Sequence, residues 1–223
     1  MMKIVLLGKG KTGSKVMDYS DNVTAFDSSH PARPEDLASC DVIISFLPGP
    51  AFESYLPMLI DSGKPVVTGT TACDWPEDID DQLKNMEVSW IRASNFSLGM
   101  NVVRPIIQQF RQLKELYPEG QFSIHEIHHT HKKDAPSGTA LSWEEWLNAP
   151  VEISSERTGD VVGIHQIRFT SEEEEIELVH KARDRGIFAK GALWAAEMVT
   201  GGELPAGLHE FTDCVAEYLN KKQ

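Results

Sequence analysis

Three histidines and two lysines fall within the six residues His128-His129-Thr130-His131-Lys132-Lys133, and the run closes on Asp134-Ala135-Pro136-Ser137-Gly138-Thr139. Imidazole and ammonium groups hold anions and deliver protons near neutral pH. A small hydroxyl residue and a glycine ahead of an apolar run read as a capped helix start, whose backbone N–H groups receive a carboxylate. The pairing is that of a site that binds an acid and protonates it. His125, His128, His129 and His131 also permit a metal reading. No cysteine lies near them, and the expectation is that no metal is held.

A second constellation opens the chain. Gly8-Lys9-Gly10-Lys11-Thr12-Gly13 follows an apolar run, precedes a helical segment and fits GxGxxG. In that pattern the first glycine permits a tight turn, the second lets backbone approach a pyrophosphate, and the third lets helix pack on strand. Asp27 comes 19 residues after Gly8, at the end of the next apolar run, where a carboxylate takes adenosine ribose hydroxyls. Ser28, Ser29 and His30 follow it, and Arg33 is the first cation beyond. NADH is therefore expected to be preferred, with NADPH possible. Lys9 and Lys11 point either to the phosphates or to solvent.

Three further segments end apolar runs: Ser45-Phe46-Leu47-Pro48-Gly49-Pro50, Thr68-Gly69-Thr70-Thr71 and Ala93-Ser94-Asn95-Phe96. Crevices outside the carboxyl ends of parallel strands are where doubly wound sheets bind ligands. Each loop alone reads equally well as an ordinary connection, but three in one sheet favour a nicotinamide pocket.

The elements that must position these groups change character along the chain. Strands are expected at 3–7, 22–26, 41–47, 65–68 and 88–93, with helices at 13–19, 51–62 and 76–86, which is the alternation of a parallel sheet covered by helices. From 98 to about 117 one long helix is expected, with Pro105 in its first turns or bending it. Strands follow at 121–129, 161–170 and 175–181, with a helix at 137–148, and residues 172–175 read as a solvated turn. A last helix spans 186–200. In a straight strand His128 and Lys132 would share one face and His129 and His131 the other, so one substrate can meet His129 and Lys132 only if the chain bends.

Bulk composition excludes several classes. There are 34 acidic against 21 basic residues in 223, a net charge of -13, which argues against nucleic acid as a partner. Cys40, Cys73 and Cys214 are widely spaced and show no CxxC, as expected of reduced thiols in a cytoplasmic protein. The opening apolar run is too short for a signal peptide or a membrane span.

Glu126-Ile127-His128-His129, Lys132 and residues 134–140 together resemble the signature of the 4-hydroxy-tetrahydrodipicolinate reductase (dihydrodipicolinate reductase) family of lysine biosynthesis. The glycine loop, Gly69-Thr70-Thr71, residues 95–101, 180–185 and 188–192 resemble family blocks in family order. The resemblance implies hydride transfer from a nicotinamide to a cyclic dicarboxylate, with His128 as general acid and Lys132 as the second catalytic residue. It implies that His129, Ser137, Gly138 and Thr139 hold substrate carboxylates. The dinucleotide would lie on Gly8, Gly10, Lys11, Thr12, Gly13 and Asp27, with Phe46, Gly69, Thr70, Thr71, Ala93, Ser94, Asn95 and Phe96 toward its nicotinamide end. The implied fold is α/β. A Rossmann-type domain at 1–96, completed by 186–223, would accompany a substrate-binding and oligomerisation domain at 97–185 with a mixed or antiparallel sheet, assembled as a homotetramer. Thr130 stands where many members carry Arg, and the chain is shorter than many between 27 and 41 and before 161. The alternatives are another nicotinamide-dependent reductase of a small imine or carbonyl acid, and a non-catalytic dinucleotide sensor.

Overall fold

The computed structural model describes residues 1–222. In chain order the elements are β1 (Ile4–Leu7), α1 (Gly13–Tyr19), β2 (Val23–Phe26), α2 (Pro34–Ala38), β3 (Val42–Ser45), α3 (Gly49–Asp61), β4 (Val66–Thr68), α4 (Ile79–Asn85) and β5 (Ser89–Arg92). There follow α5 (Leu98–Phe110), α6 (Leu113–Leu116), β6 (Gln121–His128), α7 (Gly138–Leu147), β7 (Val151–Arg157), β8 (Gly163–Thr170), β9 (Glu175–Ala182), α8 (Gly186–Thr200), β10 (Gly207–Glu210) and α9 (Phe211–Asn220). They divide into two compact units, one of Met1–Leu98 with the chain from Arg185 onward, the other of Gly99–Asp184.

The first unit is built on a six-stranded sheet in the order β10-β5-β4-β3-β1-β2, with every pair parallel. Side chains alternate across a strand, and both faces of this sheet are covered. Ile4, Leu6, Ile44, Val67 and Ile91 pack on one side against Ala189, Ala192, Ala195 and Ala196 of α8. Val5, Leu7, Ile43, Val66 and Trp90 pack on the other against Phe52 and Leu59 of α3, Leu83 of α4 and Leu37 of α2. This is why the inner strands β1, β3 and β4 read as apolar runs. α2, β10 and α9 lie in stretches to which no element was assigned from sequence.

In the second unit a mixed four-stranded sheet runs β7-β6-β8-β9, with β6 parallel to β7 and antiparallel to β8, and β8 antiparallel to β9. Phe122, Ile124, Ile167 and Phe169 turn one face onto Ala140, Trp143 and Leu147 of α7 and Met100 and Ile107 of α5. On the opposite face Ser123, His125, Ser154, Gln166 and Arg168 line a shallow groove of about 310 Å³.

Two expectations need correction here. The single helix expected from 98 to 117 is two, because i→i+3 bonds from Gln112 to Gln109 and from Lys114 to Arg111 tighten the chain after Phe110. The tightening brings Leu113 and Tyr117 onto the core, the Tyr117 ring lying 5.9 Å from that of Phe169. β7 was not expected at all. Its Val-Glu-Ile-Ser-Ser-Glu-Arg sequence carries only two apolar residues, as an edge strand can.

Candidate active site

β6 alternates exposed and buried residues, so Phe122, Ile124, Glu126 and His128 all face the core. The last two are polar, and Glu126 is fully buried. Its carboxylate is saturated. Nδ1 of His128 donates to Oε2, Nη2 of Arg157 donates to Oε1 at 2.7 Å, the Ser137 N–H donates to Oε1 at 3.3 Å, and the Ser155 hydroxyl is a fourth partner. A carboxylate offers about four lone-pair sites, so none is left. Burial alone would raise its pKa, but the bonds from Arg157, Ser155 and His128 outweigh it and hold the carboxyl down at about 2.

With Nδ1 committed to Glu126, His128 keeps Nε2 for chemistry. That nitrogen faces Gly163 at the start of β8, where an added Cβ would come within 3.0 Å of it. Desolvation lowers the His128 pKa, with Lys132 and Arg157 adding to the effect and Glu126 opposing it. Behind it stands His165, paired with Glu126 in the β6–β8 register, its ring 5.0 Å from that of His128. Burial, with His128 and His180 nearby, pushes His165 down to about 3, so it is neutral. Its Nε2 lies 3.1 Å from Oγ of Ser137.

After β6 the chain does bend. The Lys132 N–H bonds back to the His129 carbonyl at 3.1 Å, closing a turn over 129–132. Lys132 Nζ sits on Asp134, 2.8 Å from Oδ1 and 2.7 Å from Oδ2, and Arg157 Nη2 also donates to the Asp134 carbonyl at 2.6 Å. Ser137 caps α7, its Oγ accepting the Ala140 N–H at 3.2 Å. Its polar groups are thus spent inside the protein, and Gly138, exposed with open space above it, leads the helix N-terminus.

The first unit carries the glycine loop, and each glycine has a different reason to be one. Gly8 adopts φ +99, Gly10 has nothing within 4 Å of an added Cβ, and at Gly13 a Cβ would lie 1.9 Å from the Gly8 carbonyl oxygen. Lys11 is exposed at the loop, and Thr12 stands immediately before α1. Asp27 follows β2. The Ser29 hydroxyl and the backbone N–H groups of Ser29 and His30 hold its carboxyl well below the usual range. Lys9 Nζ lies 3.4 Å from its Oδ2.

At the carboxyl ends of β3, β4 and β5 the expected loops are stitched together. The Phe46 ring lies so close to Gly69 that a Cβ there would be 2.5 Å from it. Thr70 Oγ1 donates to the Leu47 carbonyl at 2.9 Å, while Phe96 meets Phe46 edge-on at 6.1 Å. Thr71 and Ser94 are exposed, Ala93 is half-buried, and the Asn95 side chain accepts the Ser97 N–H at 2.9 Å.

Sequence reading gave no role to Arg157 or His165, left Lys9 between the phosphates and solvent, and gave Glu126 only a place in the signature. A signal existed for Glu126, which stands two residues before His128 and so shares its face. Arg157 lies on the strand that was not expected. Glu126, His128 and His165 place three ligand atoms within 4.8 Å of one another, which is close enough for a cation. The bonded Arg157 guanidinium already supplies the positive charge, and the saturated carboxylate leaves no free oxygen lone pair for a metal.

Residues 99–215 match a family model described as dihydrodipicolinate reductase, C-terminus. A 4-hydroxy-tetrahydrodipicolinate reductase of Xanthomonas euvesicatoria pv. vesicatoria is 39% identical over 178 residues, covering 78% of this chain and 73% of the relative. One from Stenotrophomonas maltophilia is 37% identical over 185 residues, covering 81% and 74%. Among solved structures, a dipicolinate-bound dihydrodipicolinate reductase from Paenisporosarcina sp. superposes with a TM-score of 0.67 at 20% identity, covering 94% of this chain and 97% of that one. GenD2 from gentamicin A biosynthesis, in complex with NAD, gives 0.56 at 11% identity, covering 96% and 90%. These two likenesses bear on the fold.

Proposed function

This chain belongs to the dihydrodipicolinate reductase family, and from that premise we propose which of its residues carry out the NAD(P)H-dependent reduction of 4-hydroxy-tetrahydrodipicolinate in lysine biosynthesis. The observation that carries the proposal is the end of β6, where His128 offers one free ring nitrogen beside a turn and a helix N-terminus suited to carboxylates.

His128 is the general acid and Lys132 the second catalytic residue. The substrate is a dianion, which raises the proton affinity of both groups as it arrives and exchanges Asp134 for itself as the partner of Lys132. His129 with the N-terminal turn Ser137, Gly138 and Thr139 holds the carboxylates, Ser137 by shaping the turn and Gly138 by its backbone N–H. A bound nicotinamide supplies the hydride. As the 4-hydroxyl and a neighbouring proton leave as water, that hydride would add at the carbon so freed, and His128 would protonate the atom next to it.

For the dinucleotide, Gly8, Gly10, Lys11, Thr12 and Gly13 cradle the pyrophosphate and Asp27 takes the ribose hydroxyls. Phe46, Gly69, Thr70, Thr71, Ala93, Ser94, Asn95 and Phe96 line the nicotinamide end. The Asp27 carboxylate favours NADH. Lys9 partly neutralises it, which keeps NADPH usable. The working assembly is a homotetramer in the cytoplasm. The open face of the β7-β6-β8-β9 sheet, with Val179 exposed, supports the first, and three free cysteines suit the second. No helix among the described residues is long and apolar enough to cross a membrane.

The test is to couple the purified protein to a dihydrodipicolinate-forming synthase and follow NADH and NADPH absorbance side by side. Substrate-dependent oxidation of both, faster with NADH, is expected. Oxidation of neither rejects the proposal. Sedimentation velocity reads the assembly.

A further inference from the structure

The buried polar groups behind His128 are more numerous than holding up a sheet requires. Glu126 is an anion inside a core otherwise made of Phe122, Ile124, Ile167, Phe169 and Trp143. Burying a charge there is costly unless it is paired, and replacing such a pair by apolar residues is often stabilising. Among the things its geometry does is fix the orientation of one imidazole.

We propose that Glu126, clamped by Arg157, is the positioning residue that locks Nδ1–H of His128 inward and presents Nε2 to the substrate. This rests on the reading of His128 as the proton donor. Arg157 spans the site. Its Nη2 holds both the Glu126 carboxylate and the Asp134 carbonyl, tying the donor to the turn that carries Lys132. The Ser137 N–H joins the same carboxylate to the capped start of α7. Donor, lysine turn and carboxylate cap are therefore registered on one buried anion. A carboxylate in this position also stabilises the imidazolium that must exist before the proton leaves.

Every charged or titratable group that faces His128 bears on its proton affinity. Glu126 on the same strand raises it. Lys132 beyond the strand end and Arg157 from β7 lower it, and His165 from β8, with His180 of β9 behind, is neutral at working pH. Among these groups Glu126 is the one that holds it up. During turnover the Nε2–H bond breaks as the proton passes to the substrate, Nδ1–H stays on Glu126, and Nε2 is reprotonated from solvent.

The experiment compares wild type, Glu126→Gln and His128→Gln by steady-state kinetics across pH, NADH fluorescence titration and proton NMR. For Glu126→Gln, kcat should fall about 100-fold, and the alkaline fall of kcat should move to lower pH by about one unit. NADH affinity should be unchanged. A downfield Nδ1 proton, hydrogen-bonded to the carboxylate, should be visible in the wild type and absent from both variants. Turnover within about twofold of wild type and an unmoved alkaline limb overturn the inference. Should Glu126→Gln fail to fold because Arg157 is left unpaired, the double variant Glu126→Gln, Arg157→Gln removes that charge and must show the same kinetic loss. If His128→Gln keeps full turnover, the donor assignment itself is wrong. A loss with His128→Gln but none with Glu126→Gln rejects only the positioning role.

Discussion

Oε2 of Glu126 accepts the Nδ1–H of His128 from two positions back on the same strand, both side chains turned into the core. The alternation of β6 therefore carries the inward face past its apolar residues to two polar ones. The strand that buries Phe122 and Ile124 delivers an acid–imidazole pair at its carboxyl end.

If His128 and Lys132 move the proton, His128→Gln and Lys132→Ala should each lower kcat by about 100-fold or more. NADH should bind both variants as it binds the wild type. Steady-state kinetics beside fluorescence titration reads this, and an undiminished kcat in either variant removes that residue from the mechanism.

Acid should unfold the second unit through several groups acting in the same direction, Glu126 and His165 foremost. Glu126 titrates at about 2 in the fold against 4.5 for an ordinary glutamate, so its stabilisation is full above 4.5 and is lost as pH falls toward 2. His165 titrates at about 3 against 6.5. Between those values the unfolded chain takes a proton that the fold refuses, and stability drops with falling pH by ~1.4 kcal/mol per unit. Melting temperature measured from about pH 8 to about pH 3 should decline below 6.5 in the wild type. His165→Asn should flatten the upper part of that decline, and a wild-type curve with no slope there contradicts the assignment.

Gly163 keeps the space beside Nε2 of His128 open. An alanine there puts Cβ 3.0 Å from that nitrogen, so the ring must yield by a few tenths of an ångström. Gly163→Ala should lower kcat roughly tenfold, since small displacements of a reacting group are costly in rate, with little change in melting temperature. Unaltered kcat would show that the ring has room to spare.

Lys9 lies 3.4 Å from the Asp27 carboxylate, and its removal leaves that charge uncompensated against a 2′-phosphate. Lys9→Ala should raise KM for NADPH by about tenfold, the order of one lost charge-assisted contact, and change KM for NADH far less. An equal effect on both cofactors would assign Lys9 to the pyrophosphate instead.

Chelation offers a direct check on the Glu126, His128 and His165 cluster. Dialysis against EDTA should leave turnover unchanged, because the carboxylate is already saturated. Activity lost on dialysis and restored by zinc would place a cation there.

Much of this protein was legible in one dimension. The parallel sheet followed from short, uncharged apolar runs, and α1 and α8 have the bounds that the pattern predicts, because helix periodicity is local. His128, Lys132 and the Ser137 turn stood out because their chemistry is concentrated in one stretch. What stayed hidden depends on register. Arg157 reaches Glu126 only because β7 pairs with β6, and His165 meets it only through the β6–β8 alignment. Lys9 meets Asp27 only because β1 and β2 lie side by side. Residue types and spacing along the chain decided which reaction this protein is equipped for. Strand pairing, which joins residues about 20 to 40 positions apart at the interstrand spacing, decided which partners surround His128 and Asp27.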